Sequence, residues 1–238
     1  MKLIIGGATG YLGTELVRQS LRMPAITSVV ALGRKPVSLP EGTDTAKLRN
    51  VVVEDFASYP DDARREFQGA GACIWTIAIT PSKSRSMEPE VVKRVCQTFA
   101  VDGLRMLVES SPARPFRYLY VSGKLAERDQ TKKPILAPEY FLMRGQTENM
   151  VLKIGEESNG AVEVGIAKPG LIPKPGISLE SIAATMGQAL SLPLISTVNR
   201  EECAAAMLDQ VVNGFEKETM TNEDLKRIGK RALRQQAE

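Results

Sequence analysis

Short apolar runs alternate along the chain with longer segments in which apolar residues recur at helical spacing. The runs have the length of buried strands, and glycine, proline or polar residues bound them. Six strands are predicted, at Lys2–Ile5, Ser28–Leu32, Leu48–Val53, Ala72–Thr76, Arg117–Val121 and Val162–Ala167. Strands that alternate with helices predict a parallel sheet covered by helices on both faces, the doubly wound α/β arrangement.

The segments between these strands are predicted to be helices. In Pro89–Glu109 the apolar residues form a single stripe along one side. The other predicted helices cover Tyr11–Met23, Pro60–Phe67, Tyr140–Glu156, Leu179–Leu190, Arg200–Val212 and Asn222–Gln236, with a short strand at Ile195–Val198. Because no linker interrupts this order, we expect one domain over residues 1–238, in which approximately residues 171–238 form a substrate-side and C-terminal helical part.

The composition excludes several classes of function. The 238 residues include 31 Lys and Arg, 28 Asp and Glu, and no histidine. Without histidine, a Ser-His-Asp or Cys-His catalytic site and a His-ligated metal are excluded, and we expect no metal site. The net charge of +3 is small, and no basic stripe with interleaved aromatics gives reason to expect a nucleic-acid partner.

The chain carries no sign of export or membrane insertion. Met1 and Lys2 lead directly into a strand pattern, and no apolar run is long enough to span a bilayer. Cys73, Cys96 and Cys203 are far apart and lack metal-ligand spacing, which predicts reduced thiols that fill apolar space. We therefore expect a cytoplasmic protein that takes a small-molecule substrate and has no membrane partner.

A glycine-rich turn directly follows the first strand and opens the first helix. In Gly7-x-x-Gly10-x-x-Gly13, the first glycine permits a sharp exit from the strand and the second allows close approach of a pyrophosphate. The third lets the helix pack hard on the sheet. The free N–H groups at the helix start favour phosphate, so this turn predicts a dinucleotide site. Its contributing residues would be Gly7, Thr9, Gly10, Tyr11, Leu12 and Gly13.

The end of the second strand indicates which dinucleotide is bound. In NAD-binding proteins an acidic residue about twenty residues beyond the glycines accepts the ribose 2′-hydroxyl. Arg34 and Lys35 stand here instead, and both can pair with a 2′-phosphate, which favours NADP(H). Asp55 and Phe56 follow the third strand, where Asp55 can accept the adenine amino group. The alternatives are two solvated cations and a solvated loop carboxylate.

These motifs together resemble the short-chain dehydrogenases/reductases of the atypical or extended kind. The opening Gly-Ala-Thr-Gly-x-x-Gly is typical of that superfamily, whose fold is the NAD(P)-binding Rossmann fold. The segment Tyr120-Val-Ser122-Gly resembles the strand that carries the family's catalytic Ser, and Tyr140-x-x-x-Arg144 resembles its Tyr-x-x-x-Lys helix. The short length and the charged final helix are similar to the Tat-interacting-protein oxidoreductase group and its NmrA-like relatives.

The resemblance implies a role for each matching residue. Ser122 would polarise a carbonyl and Tyr140 would transfer the proton, while Arg144 would hold the cofactor ribose and favour the phenolate. Arg144 cannot itself lose a proton, so it cannot join a proton relay. Lys168 and Pro169 resemble the Arg-Pro pair on the nicotinamide side. Thr76 ends the strand beside which the cofactor ring would lie.

Three functions remain open from the sequence. The first is an NADP(H)-dependent reductase of a small, fairly apolar carbonyl or enone, with the segment Ile172–Ser196 as the wall of the substrate pocket. The second is a non-redox isomerase, cyclase or dehydratase that retains NADP. The third is a non-catalytic, NmrA-like sensor of NADP(H). For each of them we expect a monomer or a weak homodimer.

Overall fold

Seven parallel strands form one sheet in the computed structural model, which describes residues 1–110, 112–174, 176 and 196–237. The strand order is β3-β2-β1-β4-β5-β6-β7. The strands are β1 (Lys2–Gly6), β2 (Ser28–Gly33), β3 (Leu48–Val52), β4 (Ala70–Trp75), β5 (Phe116–Val121), β6 (Val162–Ala167) and β7 (Thr219–Met220). The sheet confirms the predicted doubly wound α/β fold and adds β7, which is too short to leave an apolar run.

Most of the described helices lie where helices were predicted, but several of them differ from the prediction in length. They are α1 (Tyr11–Ser20), α2 (Asp61–Phe67), α3 (Pro81–Ser84), α4 (Pro89–Lys93), α5 (Phe99–Glu109), α6 (Pro138–Glu157), α7 (Arg200–Asn213) and α8 (Asn222–Ala237). Helix α1 ends three residues before the predicted Met23, because Arg22 and Met23 bond to the carbonyls three residues back. The predicted helix at Leu179–Leu190 lies outside the described residues.

The predicted helix Pro89–Glu109 contains a π-helical turn. Residues Arg94–Thr98 adopt this wider turn and join α4 to α5 without a break. Apolar periodicity does not reveal a π-turn, because one inserted residue shifts the stripe without ending it. The predicted strand at Ile195–Val198 is reduced, within the described residues, to a single bridge between Leu171 and Thr197.

Two apolar cores cover the two faces of the sheet. On one face, Trp75, Tyr118 and Tyr120 are fully buried beneath α5 and α6. On the other face, α1, α7 and α8 pack around residues such as Leu16 and Met207. The tryptophan and the two tyrosines are therefore packing residues.

The strand order reverses direction between β1 and β4. From β1 the chain moves outward to β2 and β3, and after β4 it moves outward on the opposite side. Open α/β sheets bind ligands outside the carboxyl ends of the strands at such a reversal. Gly6 pairs with Leu32 on one side and with Trp75 on the other, so the three strands end level at this point.

No helix among the described residues has both the length and the apolar content needed to cross a bilayer. The three cysteines are free and buried.

Candidate functional site

The glycine-rich turn sits at the reversal of the sheet and is fastened to β2. Gly7 has a φ of +82°, which an L side chain rarely adopts. The N–H groups of Gly7 and Ala8 donate to the Leu32 carbonyl at 3.0 and 3.2 Å, and the Gly10 N–H donates to the Gly7 carbonyl at 2.9 Å. These three main-chain hydrogen bonds therefore fasten the turn to β2 and close it on itself.

The other two glycines of the motif differ in their surroundings. A Cβ on Gly13 would lie 2.2 Å from the Gly7 oxygen, so the start of α1 rests directly on the turn. We expected Gly13 to serve packing on the sheet; the contact it permits is with the turn itself. Gly10 is exposed, and a Cβ there would meet only the Gly7 oxygen, at 3.2 Å. The turn thus leaves an open cradle beside Gly10.

The N-terminus of α1 faces this cradle, and none of the described residues caps it with a side chain. Gly10 caps the helix without a side-chain hydrogen bond, and the first turn contains no acidic residue. The N–H groups of Tyr11, Leu12 and Gly13 belong to that first turn, where a helix has no acceptors of its own. This arrangement attracts an anion and fits a pyrophosphate.

Two threonines flank the turn. The Thr76 hydroxyl donates to the Gly6 carbonyl at 2.8 Å, and a Cβ on Gly7 would lie 2.5 Å from that hydroxyl oxygen. Thr76 therefore supports the turn from β4. Thr9 lies against the end of β2, since its methyl would be 3.4 Å from a Cβ on Gly33.

Tyr11 connects the turn to the segment that follows β6. Its hydroxyl donates to the Pro173 carbonyl at 2.9 Å. The Lys174 ammonium and the Arg200 guanidinium lie 5.4 and 4.6 Å from the centre of its ring. Attraction of cations to an aromatic face holds both near the glycine turn, although Arg200 also pairs with Glu15 at 3.5 Å and with Glu201 at 3.3 Å, so its charge is largely balanced. No motif in the sequence pointed to Lys174 or Arg200.

The end of β2, where the sequence predicts the adenosine side of a dinucleotide, carries exposed positive charge. Arg34 and Lys35 are exposed, and neither has a partner in the part of the chain that the structure describes. Asp55, at the end of β3, pairs with Arg94 at 2.6 Å and accepts the Ala57 N–H at 3.0 Å.

Phe56 is placed in the core and not at the ligand surface. It is 5% exposed, and its ring centre lies 5.7 Å from that of Phe99 and 6.3 Å from that of Trp75. Phe56 is therefore left with only its main chain to offer to an adenine.

Tyr140 and Arg144 lie together at the start of α6. The Tyr140 hydroxyl donates to the Ile79 carbonyl at 2.7 Å. Burial raises the pKa of Tyr140 to about 12, although the nearby Arg144 cation acts to lower it. Arg144 is 3% exposed, donates from Nη2 to the Val121 carbonyl at 2.7 Å and lies 5.1 Å from the centre of the Tyr120 ring. Its Nη1 atom is buried and has no hydrogen-bond partner among the described residues.

Ser122 contacts a carboxylate that the motif reasoning did not assign. Its hydroxyl donates to Glu148 Oε1 at 2.5 Å. Glu148 is fully buried; Arg128 lies 2.7 Å away, and Lys168 lies 3.2 Å away. A carboxylate between two cations accepts hydrogen bonds and does not donate them. The hydroxyl proton of Ser122 is therefore used in the hydrogen bond to Glu148. Only the Ser122 oxygen, as an acceptor, remains for a ligand.

The spacing along α6 contains the signal for Glu148. Tyr140, Arg144, Glu148 and Val151 recur at intervals of four, four and three, which places them on one face of the helix. Since Arg144 and Val151 are buried, the same face carries Glu148 inward.

Lys168 and Pro169 close the site on the β6 side. The Lys168 ammonium donates to the Ala126 carbonyl at 2.6 Å and also contacts Glu148. Its charge therefore faces the buried carboxylate that Ser122 and Arg128 also contact. Pro169 is buried, and its carbonyl accepts the Lys124 N–H at 2.9 Å.

A cavity of about 420 Å³ lies beside Tyr140. Its walls come from the starts of α4 and α6 and from the segment before α4. They comprise Ser84, Met87, Pro89, Glu90, Val92, Lys93, Ala137, Pro138, Glu139, Tyr140 and Met143. Both helices begin at the carboxyl edge of the sheet. The segment Ile172–Ser196, where we expected the substrate, lies mostly outside the described residues.

Among the described residues, no group of three or more Cys, Asp or Glu side chains is arranged to hold a metal ion.

Comparison with known sequences gives a limited result. No protein-family model matches the chain. The leucinostatins biosynthesis cluster protein T of Purpureocillium lilacinum is 33% identical over 76 residues, which are 32% of this chain and 27% of that protein. The chain thus matches about a quarter of the length of this relative.

Comparison with solved structures is more extensive. The dTDP-glucose 4,6-dehydratase DesIV of Streptomyces venezuelae, solved with NAD, has a TM-score of 0.68 at 18% identity, covering 98% of this chain and 81% of its own. The PhqB reductase domain of Penicillium fellutanum has a TM-score of 0.68 at 16% identity, covering 94% and 67%. A short chain dehydrogenase family protein of Francisella tularensis has a TM-score of 0.64 at 12% identity, covering 94% and 98%. The predicted resemblance is confirmed at the level of the fold.

Proposed function

We propose that this chain binds NADP(H) and reduces a small, fairly apolar carbonyl or enone substrate. One observation carries the proposal: within the part of the chain that the structure describes, an uncapped helix start lies over an open glycine cradle, and two cations without partners stand at the end of the neighbouring strand. The first feature fits a pyrophosphate and the second fits a phosphate on the adenosine ribose. Solved proteins of the same fold that carry NAD support the cofactor class.

Different residues would bind different parts of the cofactor. The N–H groups of Tyr11, Leu12 and Gly13 would hold the pyrophosphate, and Arg34 and Lys35 would hold the 2′-phosphate. Thr76 and Pro169 border the nicotinamide half, beyond the ends of β4 and β6. When bound, the nicotinamide supplies the hydride, which is chemistry that the side chains present do not provide.

Tyr140 would donate the proton to the substrate oxygen. The phenol carries its proton at neutral pH and can donate it, although burial raises its pKa to about 12 and makes it a weaker acid than an exposed tyrosine. The neighbouring Arg144 cation would stabilise the phenolate that remains. The Tyr140 hydroxyl would exchange the Ile79 carbonyl for the substrate oxygen, and the cavity beside it would receive the apolar part of the substrate.

Ser122 takes a different role from the one that the resemblance implies. With its proton engaged by Glu148, it can only accept a hydrogen bond from the ligand. We therefore assign Ser122 to the hydroxyl of the substrate or product and not to polarisation of the carbonyl.

Titration calorimetry with NADPH, NADP, NADH and NAD tests the proposal. We expect NADPH and NADP to bind more tightly than NADH and NAD. Arg34→Ala should weaken NADPH binding roughly 10- to 100-fold, since it removes a charge-assisted hydrogen bond of about 1.5–3 kcal/mol, and should leave NADH binding unchanged. Arg22→Ala is the matched control, because it removes an equal charge at the exposed far end of α1. A protein that binds no nicotinamide dinucleotide would contradict the proposal.

A non-redox enzyme is the second candidate. Because the Ser122 hydroxyl donates its proton to Glu148, it cannot also donate a hydrogen bond to a substrate carbonyl. A reductase oxidises NADPH in the presence of its substrate, and the absorbance of the reduced nicotinamide falls. A non-redox isomerase, cyclase or dehydratase converts its substrate while that absorbance stays constant. The absorbance measurement therefore separates the two candidates.

A further inference from the structure

Arg94 and Asp55 form an ion pair at the adenosine end of the site. The pair joins the first residue of the π-helical turn to the loop after β3, with 2.6 Å between Arg94 Nη2 and Asp55 Oδ2. β3 lies directly beside β2, with Val52 opposite Gly33. Asp55 is therefore one strand away from Arg34 and Lys35, at the same edge of the sheet.

Both partners are held in place and both remain open to a ligand. The Arg94 guanidinium lies 5.5 Å from the centre of the Phe99 ring, and the Ala57 N–H fixes the other oxygen of Asp55. The side chains of Arg94 and Asp55 are 55% and 46% exposed. An exposed pair of this kind contributes at most about 1 kcal/mol to stability, so its removal should leave the protein folded.

The charge of Asp55 conflicts with a 2′-phosphate nearby. A carboxylate suits a ribose hydroxyl or an adenine amino group, but it repels a group with a charge of about −1.5 to −2. Arg94 cancels this charge without occupying the position of Arg34 or Lys35. The π-turn that presents Arg94 is a local irregularity of the kind found frequently at functional sites.

We propose that Arg94 is a specificity-determining residue that neutralises Asp55, so that the adenosine end admits the 2′-phosphate of NADP(H). The inference rests on the proposed function, since it concerns the same cofactor. Arg94 acts through Asp55 and not by binding the phosphate itself. Without Arg94, the carboxylate would oppose Arg34 and Lys35, and NADPH would lose its advantage over NADH.

A double-mutant cycle read by calorimetry tests this role. NADPH and NADH are titrated into the wild type, Arg94→Ala, Asp55→Asn and the double variant. Arg94→Ala should weaken NADPH binding about tenfold and change NADH binding less than about twofold, in line with one uncompensated charge close to the phosphate. In the double variant NADPH affinity should return to near the wild-type value. Arg105→Ala is the matched control, since it breaks an exposed pair with Asp102 on the same helical segment.

Each outcome decides the matter. An unchanged NADPH to NADH ratio in Arg94→Ala overturns the inference. So does a double variant as weak as Arg94→Ala, because Arg94 would then contact the phosphate directly. Raising the salt to about 1 M, where the Debye length falls to about 3 Å, should shrink the effect of Arg94→Ala. If the wild type binds no dinucleotide, the proposed function fails as well, whereas normal wild-type binding with a failed cycle removes this inference alone.

Discussion

Gly13 is sterically the most constrained of the three motif glycines. A Cβ there would lie 2.2 Å from the Gly7 oxygen and 3.0 Å from the Ala8 Cα, and both are backbone atoms that cannot rotate away. We expect Gly13→Ala to push α1 off the turn and to lower the free energy of unfolding by about 1–3 kcal/mol, as overpacking does. Urea denaturation measures this loss.

Gly123→Ala is the control for that measurement. A Cβ on Gly123 meets nothing within 4 Å, and its φ does not lie in the left-handed region. Its free energy of unfolding should stay within about 0.5 kcal/mol of the wild type. Equal losses in the two variants would mean that any added methyl is harmful and that the contact at Gly13 has no special role.

Single residues divide into those that sequence predicts and those that it does not. The sequence predicts the roles of the turn glycines, Arg34 and Lys35 because each lies shortly after the end of a predicted strand. This is a local property of the sequence. Arg94 and Glu148 act through partners that lie 39 and 26 residues away, at Asp55 and Ser122. One sequence contains no direct record of such pairs, so the Arg94–Asp55 ion pair and the partners of Glu148 became visible only once the elements were packed, although the spacing along α6 already places Glu148 on its inward face.

The buried carboxylate of Glu148 connects helix α6 to the ends of two neighbouring strands. Glu148 joins α6 to the end of β5 through Ser122, to the end of β6 through Lys168, and to the intervening loop through Arg128. Removing one member of a buried ionic cluster leaves the others uncompensated. We expect Glu148→Ala to lower the free energy of unfolding by about 3–5 kcal/mol, as measured by chemical denaturation.

Glu163→Ala provides the comparison for this loss. Glu163 pairs with Arg117 at 2.9 Å, but its side chain is 44% exposed. An exposed pair should cost less than about 1 kcal/mol when it is broken. If Glu148→Ala proved as mild as Glu163→Ala, the carboxylate would not be the link that the geometry indicates.

Elements were predicted well wherever apolar periodicity was sustained. Strands β1 to β6 and helix α6 fall within two residues of their expected ends. The departures have local causes: α3 spans four residues, β7 spans two, and the π-turn keeps the apolar stripe while shifting its phase. Apolar periodicity is recognisable only over several helical turns or strand alternations, so it cannot predict elements of two to four residues.

At the scale of the whole molecule, the reversal of strand order brings the local motifs together. The glycine turn follows β1, the cations follow β2, Asp55 follows β3, Thr76 follows β4, Ser122 follows β5 and Lys168 follows β6. In a parallel sheet all these positions lie at one edge, so the fold brings strand ends that are far apart in sequence to the edge where the cofactor site is proposed. We retain the proposal of a monomer or weak homodimer, in which a contact between copies would use α5 and α6.

The stability of the molecule should depend on pH only outside the neutral range. The chain has no histidine, so no imidazole titrates between pH 6 and 8. Burial raises the pKa of Tyr140 and of the Cys203 thiol to about 12, and it raises the pKa values of Tyr118 and Tyr120 as well. These groups keep their protons when folded and lose them from about pH 9–10 when unfolded. Their stabilising contribution is therefore complete below that range and is lost as the pH rises through 12.

Urea denaturation at a series of pH values measures this dependence. We expect a level free energy of unfolding between about pH 6 and 9, followed by a steep fall, with each buried group contributing about 1.4 kcal/mol per pH unit. Tyr140→Phe should remove one such contribution, so the variant should lose about 2 kcal/mol less than the wild type between pH 10 and 12. An identical alkaline slope in both proteins would mean that the Tyr140 hydroxyl is not shielded as the structure indicates.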